Sequence, residues 1–420
     1  MFLTEQEILD TPRALERTCR YFDERQEEHK NFFARNAQKK FAFFGCGSSY
    51  MLAKSAAAIF GALPGTSAVA VPAGDYLVSP TSWSEALKDS IVVTLSRSGR
   101  TSELVMAVKE IRQMLGCPVI SISAEQGNDL MPLSQQDIVL DWCYDKSVCQ
   151  TRTVTNFYAA VLLLAAAYAG RAELSAAVHT AAAKCEAFQQ ENRDALAKAA
   201  ALPWDNVVVL ADGPLCGIAE EGALAFTEIS MLCGRYFHVL DYRHGPIVIS
   251  GKNTLTVMVL RPGEEALQKA MVDDVLAKGG PVVTVSDKEG NPWGGVANVQ
   301  ISGVDDFAAW GVLFIYVCQL MALLKAVELG GNPDQPKGCL LYTSWPDGPP
   351  NSSCPHPRKI RPNLRCGRFG HRIHGQMQWR LCRPPHGCPH GIPETRPSPL
   401  LRHSQCERVP VQTLFPSVLR

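Results

Sequence analysis

The chain of 420 residues has no net charge, and its first 338 residues contain no closely paired cysteines. The cysteines of this part are scattered without a CxxC spacing, which favours reduced thiols over a disulfide framework or a zinc site. No basic surplus is present, so we expect no nucleic-acid partner. The first residues lack a basic segment followed by an apolar one, which predicts a cytoplasmic protein.

Long apolar runs are scarce, and one approaches the length of a membrane span, at residues 307–324. It follows a strand-like segment and ends near Lys325 and a glycine pair. This context favours a buried helix at a domain or subunit interface. We therefore expect no membrane insertion, and a homodimer or higher homo-oligomer in which the helix meets a second subunit.

Alternating strand and helix patterns fill most of the chain, and 46% of its residues are hydrophobic, enough for sizeable cores. Short apolar strands are predicted at residues 40–45, 66–72, 90–95 and 118–123. The same succession begins again at residue 206, with further strands at 254–260 and 281–286. Strands that alternate with helices indicate doubly wound parallel sheets, here in two similar α/β domains with a repeat period near 165 residues.

The predicted organisation has five parts. They are a helical N-terminal segment (1–38), a first domain (39–170), a helical connector (171–200), a second domain (201–338) and a tail (339–420).

The tail differs sharply from the rest in composition. It holds 14 of the 28 prolines, six of the 15 cysteines and 12 of the 41 basic residues, and no helix or strand periodicity. Its cysteines and histidines suggest zinc ligands, but their spacings match no standard site. GC-rich DNA read out of frame encodes the same composition, so we expect an unstructured, non-native tail.

The clearest chemical signal is Ser96-Arg-Ser-Gly-Arg-Thr, between a predicted strand and a predicted helix. The hydroxyls of Ser96, Ser98 and Thr101 can surround a phosphate together with the unpaired N–H groups of the helix start. Arg97 can add positive charge. An ordinary capped turn would use the same residue types, and the segment alone does not separate the two interpretations.

A second polar turn, Gly45-Cys-Gly-Ser-Ser, follows the first predicted strand and offers Ser49 to a hydroxylated ligand. Parallel sheets bind ligands at the carboxyl ends of their strands, so two such turns strengthen the prediction of a site. The third glycine of a dinucleotide fingerprint is missing, and no cofactor is expected.

A third element contains Glu221 and Glu228, followed by His244 in an Arg-His-Gly-Pro turn. The two glutamates are seven residues apart, so both can face one side of a helix. A carboxylate and an imidazole that converge on a sugar are suitable proton carriers. A solvated glutamate pair and a loop histidine are the alternative.

These elements together resemble the SIS (sugar isomerase) family. Within it, they are similar to the tagatose-6-phosphate or galactosamine-6-phosphate isomerase/deaminase type and to the isomerase half of glucosamine-6-phosphate synthase. The resemblance covers about residues 4–338. Its motifs are Thr4-Glu-Gln-Glu-Ile with Pro12-Arg13, Gly45-Cys-Gly-Ser-Ser, Asp75-Tyr-Leu-Val-Ser-Pro, Ser96-Arg-Ser-Gly, Gln150-Thr-Arg, Glu221-Gly-Ala-Leu, Glu228-Ile-Ser, Arg243-His-Gly-Pro and Asn332-Pro-Asp-Gln-Pro.

The resemblance implies an aldose–ketose isomerase or a deaminase/deglycase that acts on an amino sugar 6-phosphate and is built from two SIS-type domains. It implies that Glu228 moves a proton between C1 and C2 of the open-chain sugar, with Glu221 as a second carboxylate of the site. His244 would assist ring opening, often from the partner subunit. The implied ligand contacts are Ser96, Ser98 and Thr101 to the phosphate, and Ser49, Gln150 and Thr151 to the sugar.

The chain departs from the family pattern in two places. Ala225 stands where related enzymes carry a helical lysine, and the segment after Lys337 is replaced by the unusual tail. The glutaminase domain of the synthase does not precede the similar region, so glutamine-dependent amination is not expected. A non-catalytic regulator that binds a sugar phosphate is the alternative function. It needs only the two polar turns at residues 45–49 and 96–101, which we call the phosphate turns.

Overall fold

The computed structural model describes residues 1–337, which form two open five-stranded parallel sheets covered by helices. Phe41 and Phe43 of the first strand pack into one apolar cluster, and Ala42 and Phe44 pack into another. Successive side chains of a strand point to opposite faces, so both faces of this sheet are buried. The predicted doubly wound α/β class is confirmed.

The ten strands are short and mostly buried. They are β1 (Lys40–Gly45), β2 (Ser67–Pro72), β3 (Ser90–Ser96), β4 (Val119–Ser123), β5 (Gln136–Val139), β6 (Asn206–Leu210), β7 (Cys233–Phe237), β8 (Thr254–Val259), β9 (Val282–Ser286) and β10 (Ala297–Gln300). The strand order is β2-β1-β3-β4-β5 in the first sheet and β7-β6-β8-β9-β10 in the second.

Twelve α-helices connect and cover the strands in the described residues. They are α1 (Leu3–Leu9), α2 (Thr11–Glu24), α3 (Gln26–Arg35), α4 (Ser48–Gly61), α5 (Ala73–Val78), α6 (Ser84–Leu87), α7 (Ser102–Leu115), α8 (Arg152–Ala169), α9 (Ala172–Ala200), α10 (Cys216–Ile229), α11 (Glu265–Leu276) and α12 (Gly311–Glu328).

The two sheets are repeats of one topology, and their strand registers agree. Lys40 pairs with Ser90 in the first sheet, and Asn206 pairs with Thr254 in the second. Equivalent residues therefore differ by 166 in number on the central strands β1 and β6, and by 164 on β3 and β8. A duplicated βα unit explains why the same sequence pattern occurs twice.

The repeats meet through α4 and α10, which follow the two equivalent central strands. A Cβ atom on Gly217 would lie 2.0 Å from the carbonyl oxygen of Met51, so the helices touch at backbone distance. The Lys54 ammonium and the Glu220 carboxylate form an ion pair of 2.7 Å across this contact. These two residues are 166 positions apart and thus occupy equivalent places in the repeats.

The apolar helix α12 lies in the interior of the chain. Of the described residues, only the segment Phe307–Glu328 is long and apolar enough to cross a membrane, and 89% of its most apolar window is buried. Its neighbours are α8, α9 and α10, and a Cβ on Gly222 would lie 2.7 Å from the Cys318 sulfur. The prediction of a buried helix is confirmed: helices of the same chain cover it, so its burial does not require a second subunit.

Three edge strands, β5, β7 and β10, were not predicted from the sequence. They are only four or five residues long, and β7 includes a glycine and an arginine and is partly exposed. Edge strands bury one side less completely, so their apolar pattern is weak.

The prediction for the tail, residues 339–420, lies outside the described residues.

Candidate active site

The turn between β1 and α4 brings two buried hydroxyls to the carboxyl edge of the first sheet. A Cβ on Gly45 would lie 2.4 Å from the backbone carbon of Ser49, so only glycine permits this tight turn. Ser48 and Ser49 are 5% and 4% exposed. The Ser48 hydroxyl hydrogen-bonds to the carboxyl group of Glu221, which connects the first repeat to α10 of the second.

The neighbouring turn, between β3 and α7, collects three hydroxyl groups around a helix start. The Ser96 hydroxyl accepts a hydrogen bond from the Gly99 N–H (3.0 Å) and lies 3.2 Å from the Thr101 hydroxyl. Ser98 accepts one from the Arg100 N–H at 3.2 Å. Gly99 has φ +62°, and a Cβ there would overlap the Asn128 side chain, so the tight turn requires glycine. Hydroxyls and a helix N-terminus form a suitable anion cradle.

Arg97, in the same turn, holds the loop that leads into α8. Its Nη1 donates to the carbonyl oxygens of Asp145 (3.3 Å), Ser147 (3.0 Å) and Val148 (3.3 Å). The guanidinium carbon also lies 5.6 Å from the centre of the Tyr144 ring. The sequence suggested a phosphate contact for Arg97, whereas these bonds direct one end of its guanidinium to the loop.

This loop, residues 144–151, is ordered around the buried carboxylate of Asp145. Its Oδ2 accepts hydrogen bonds from the Thr151 N–H (2.7 Å) and the Thr153 N–H (2.9 Å). Burial, and then the charge of Glu7, raise the pKa of Asp145 to about 6. Thr151 is fully buried, and Gln150 beside it is partly exposed. The loop therefore presents Gln150 at its surface, whereas the Thr151 side chain points inside.

The two glutamates of α10 lie on the side of this helix that faces the first repeat. Glu221 is 2% exposed, and burial followed by the charge of Glu228 raises its pKa well above the usual range. One of its oxygens has no hydrogen-bond partner among the described residues, so no donor there stabilises the charged carboxylate. Burial also raises the pKa of Glu228, against the lowering effects of the Arg97 charge and of a hydrogen bond with the Cys149 thiol.

The structure thus brings Ser48, Arg97, Cys149, Glu221 and Glu228 into one cluster at the carboxyl edge of the first sheet. Both repeats contribute, because α10 begins beyond the first strand of the second repeat. Ala225 lies one turn from each glutamate and is 4% exposed, so a methyl group occupies the place of the expected lysine.

His244 is not part of this cluster within one chain. It ends a short 3₁₀ turn after β7, its side chain is exposed, and its imidazole has no hydrogen-bond or ion-pair partner in the described part of the protein.

The sequence did not indicate Cys149, Asp145 or the role of Arg97 in holding the loop. Their contacts join segments about 50 to 80 residues apart, which no local pattern reveals.

Among the clefts of the described residues, two of the larger ones lie away from this cluster. One of about 640 Å³ is bordered by α2 and α9. Another, of about 630 Å³, opens at the carboxyl ends of β6, β8 and β10 and is lined by Arg171, Arg261, Phe307 and Ala62, among others. We call it the second-repeat cleft.

Within residues 1–337 no group of three His, Cys, Asp or Glu side chains is arranged to hold a metal ion.

Comparison with known families agrees with the duplicated fold. The SIS domain model matches residues 36–169 and again residues 202–329, one match for each sheet. The chain belongs to the SIS-domain family. This confirms the resemblance noted in the sequence.

Curated relatives of this SIS protein act on sugar phosphates, according to their names. It is 25% identical over 307 residues to the glutamine–fructose-6-phosphate aminotransferase (isomerizing) of Haemophilus influenzae, covering 70% of this chain and 49% of that protein. It is 24% identical over 357 residues to an Escherichia coli protein, AgaS, whose name proposes D-galactosamine-6-phosphate deaminase activity, covering 79% and 91%. The chain spans about half the length of the aminotransferases that it matches.

Solved structures share the same fold. Tagatose-6-phosphate ketose/aldose isomerase from Escherichia coli aligns with a TM-score of 0.72 at 22% identity, over 81% of this chain and 96% of that one. Glucosamine-6-phosphate deaminase from Thermotoga maritima aligns with a TM-score of 0.65 at 23% identity, over 80% and 98%. The two-repeat architecture is therefore shared with these solved structures.

Proposed function

We propose that this SIS protein is an aldose–ketose isomerase or a deaminase/deglycase acting on an amino sugar 6-phosphate. The observation that carries the proposal is the shielded carboxylate of Glu228, which lies within electrostatic reach of Arg97 in the phosphate turn. A general base needs such a position beside a substrate anchor, with a pKa raised toward the working pH. The names of the relatives support the substrate class.

Proton transfer between C1 and C2 is the step assigned to Glu228. The carboxylate takes the proton from one of these carbons, and the electrons of the broken C–H bond form the C1–C2 double bond of an enediol or enolamine. Return of the proton to the other carbon, with a proton shift between the heteroatoms, completes the isomerisation. A deaminase adds water at the carbon that bears nitrogen and releases ammonia.

The substrate phosphate is assigned to the turn of Ser96, Ser98 and Thr101, at the N-terminus of α7. The hydroxyls converge there, and backbone N–H groups and the helix dipole favour a negative charge. Ser49, at the start of α4, and Gln150, in the loop 144–151, are assigned to the sugar, whose carbons would lie toward Glu228. The Thr151 N–H donates to the Asp145 carboxylate, so we assign the backbone of this residue to the support of the loop.

Ring opening is assigned to His244 of a partner subunit in a homodimer or larger homo-oligomer. The imidazole is exposed and lies outside the cluster of its own chain, as required if it serves a neighbouring subunit. We expect the protein to act in the cytoplasm, where phosphorylated sugars are retained.

The experiment that tests the function is solvent-deuterium incorporation by the full-length protein. Hexose and amino-sugar 6-phosphates are incubated in D₂O, and NMR follows deuterium at C1 and C2 and the formation of the ketose or the release of ammonia. Exchange on one member of the panel supports an enzyme. Calorimetric binding of a sugar 6-phosphate without any exchange would instead identify a non-catalytic regulator.

A further inference from the structure

Two motifs of the family pattern have no role in the proposed chemistry, namely Thr4-Glu-Gln-Glu-Ile and Asn332-Pro-Asp-Gln-Pro. The first lies in helix α1, and the second contacts the start of this helix. The Asp334 carboxylate accepts hydrogen bonds from the Leu3 N–H (2.9 Å), the Thr4 N–H (2.8 Å) and the Thr4 hydroxyl (2.8 Å). This side chain therefore caps α1 from the opposite end of the described chain. The cap supplies the acceptors that the first helical N–H groups lack.

At the other end of α1, Glu7 enters the loop of the candidate active site. Glu7 is 3% exposed, and its carboxylate accepts from the Lys146 N–H (2.6 Å) and the Ser147 N–H (3.2 Å). The Ser147 hydroxyl lies between this carboxylate and the carbonyl oxygen of Cys149 (2.9 Å). A buried carboxylate with several donors is a strong local constraint, because charge-assisted hydrogen bonds are short and strong.

The loop is thus fixed from two sides by opposite charges. Glu7 binds its N–H groups, and Arg97 binds the carbonyl oxygens of Asp145, Ser147 and Val148. The next residue, Cys149, hydrogen-bonds to the proposed base Glu228. Movement of the loop would therefore shift the thiol against the carboxylate and displace Gln150.

We propose that Glu7 is a positioning residue of the active site: it holds the loop 145–150 in the conformation that orients Glu228 and Gln150 for proton transfer. The proposal rests on the proposed function for its catalytic consequence. Glu7 itself touches no reacting atom. It acts through Ser147 and the backbone that leads to Cys149.

The test compares Glu7→Gln with Glu5→Gln in the full-length protein. Glu5 lies on the same helix and forms an ion pair with Arg193 (2.7 Å), away from the loop, so it is a matched control. Glu7→Gln should lower kcat for sugar-phosphate exchange about tenfold, which is part of the roughly 10²–10⁴-fold that a general base contributes, because the base is displaced and not removed. The affinity for inorganic phosphate, measured by calorimetry, should stay within about twofold, because the phosphate turn does not touch Glu7.

A purely structural role gives a different result. In that case Glu7→Gln lowers the thermal midpoint and the stoichiometry of phosphate binding together, while the kcat of each folded molecule equals that of Glu5→Gln. That outcome overturns the proposal.

Amide hydrogen exchange makes the test independent of activity. In Glu7→Gln the peptide covering residues 148–151, which does not contact Glu7 through its N–H groups, should exchange faster than in the wild type or in Glu5→Gln. Equal exchange in all three proteins would overturn the inference. If the wild type acts on no sugar phosphate, the proposed function fails, and loop exchange still decides whether Glu7 holds the loop.

Discussion

Glu221 and Glu228 lie two turns apart on one face of α10, and the negative charge of Glu228 adds to burial in raising the pKa of Glu221. The pair therefore holds a proton more readily than either carboxyl group would alone in water. Glu221 is the more deeply buried and binds the Ser48 hydroxyl, whereas Glu228 faces the Arg97 charge and remains partly accessible. This asymmetry supports the proposal that Glu228 exchanges a proton with a ligand.

Glu228→Gln tests the assignment of the base directly. The amide has nearly the same shape but cannot accept a proton, so exchange should fall by about 10²–10⁴-fold while sugar-phosphate binding is retained. Glu220→Gln on the same helix is the control, since Glu220 pairs with Lys54 instead. Full turnover by Glu228→Gln would transfer the assignment to Glu221.

Ser98→Ala tests the phosphate turn. Hydrogen bonds to charged groups contribute about 1.5–3 kcal/mol, so the affinity for a sugar 6-phosphate should fall about tenfold or more. Ser79→Ala, which removes a partly exposed hydroxyl that pairs with Ser82 outside the phosphate turn, should leave it unchanged. Calorimetry that finds equal affinity in both variants would place the phosphate elsewhere.

Dilution tests the assignment of His244 to a partner subunit. Specific activity should decline as the protein is diluted through its dissociation range, because each site would lose the partner's imidazole. His244→Ala should impair a cyclic substrate more than a sugar that is already open. Activity that is independent of concentration, together with a monomer in light scattering, would contradict the shared site.

His29 predicts a pH dependence of stability unrelated to catalysis. Burial, and then the charge of Arg25, lower the pKa of His29 to about 4, so the unfolded chain takes up the proton first as the pH falls below 6.5. Stability should therefore be lost between pH 6.5 and 4. The wild type should lose about 2 kcal/mol more than His29→Leu between pH 7.5 and 5, measured by urea unfolding. Parallel losses in both proteins would show that other groups dominate.

Much of the fold could be predicted from the sequence because its information is local. The central strands are short apolar runs that end in glycine or serine turns, as at Gly45 and Ser96, and a repeated pattern predicts a repeated fold. Helix α2 begins at Thr11 with Pro12 in its first turn, as a proline after a polar pair indicates. Edge strands and the surroundings of α12 required knowledge of tertiary neighbours.

The candidate site could be predicted only in part, for the same reason. The hydroxyls of Ser96 and Ser98 and the seven-residue spacing of the glutamates are visible in the sequence. The contacts of Glu7 with Ser147, and of Cys149 with Glu228, join residues 140 and 79 positions apart. Residue type alone gives no information on such pairs, since a buried glutamate in a helix looks like a surface glutamate until its neighbours are known.

The ion pair of Lys54 with Glu220 shows which residues of α4 and α10 are equivalent, because these two residues are 166 positions apart in the chain. Applied to the proposed base, the same difference of 166 makes Ala62 the counterpart of Glu228, and Ala62 lines the second-repeat cleft. In the phosphate turn, a difference of 164 puts Pro262 in the place of Ser98. The hydroxyl-bearing turn thus lies in the first half of the duplicated chain and the proposed base lies in the second, and each half carries an inert side chain at the position where the other has its functional group. The two copies of the framework are therefore complementary, and together they form one proposed site.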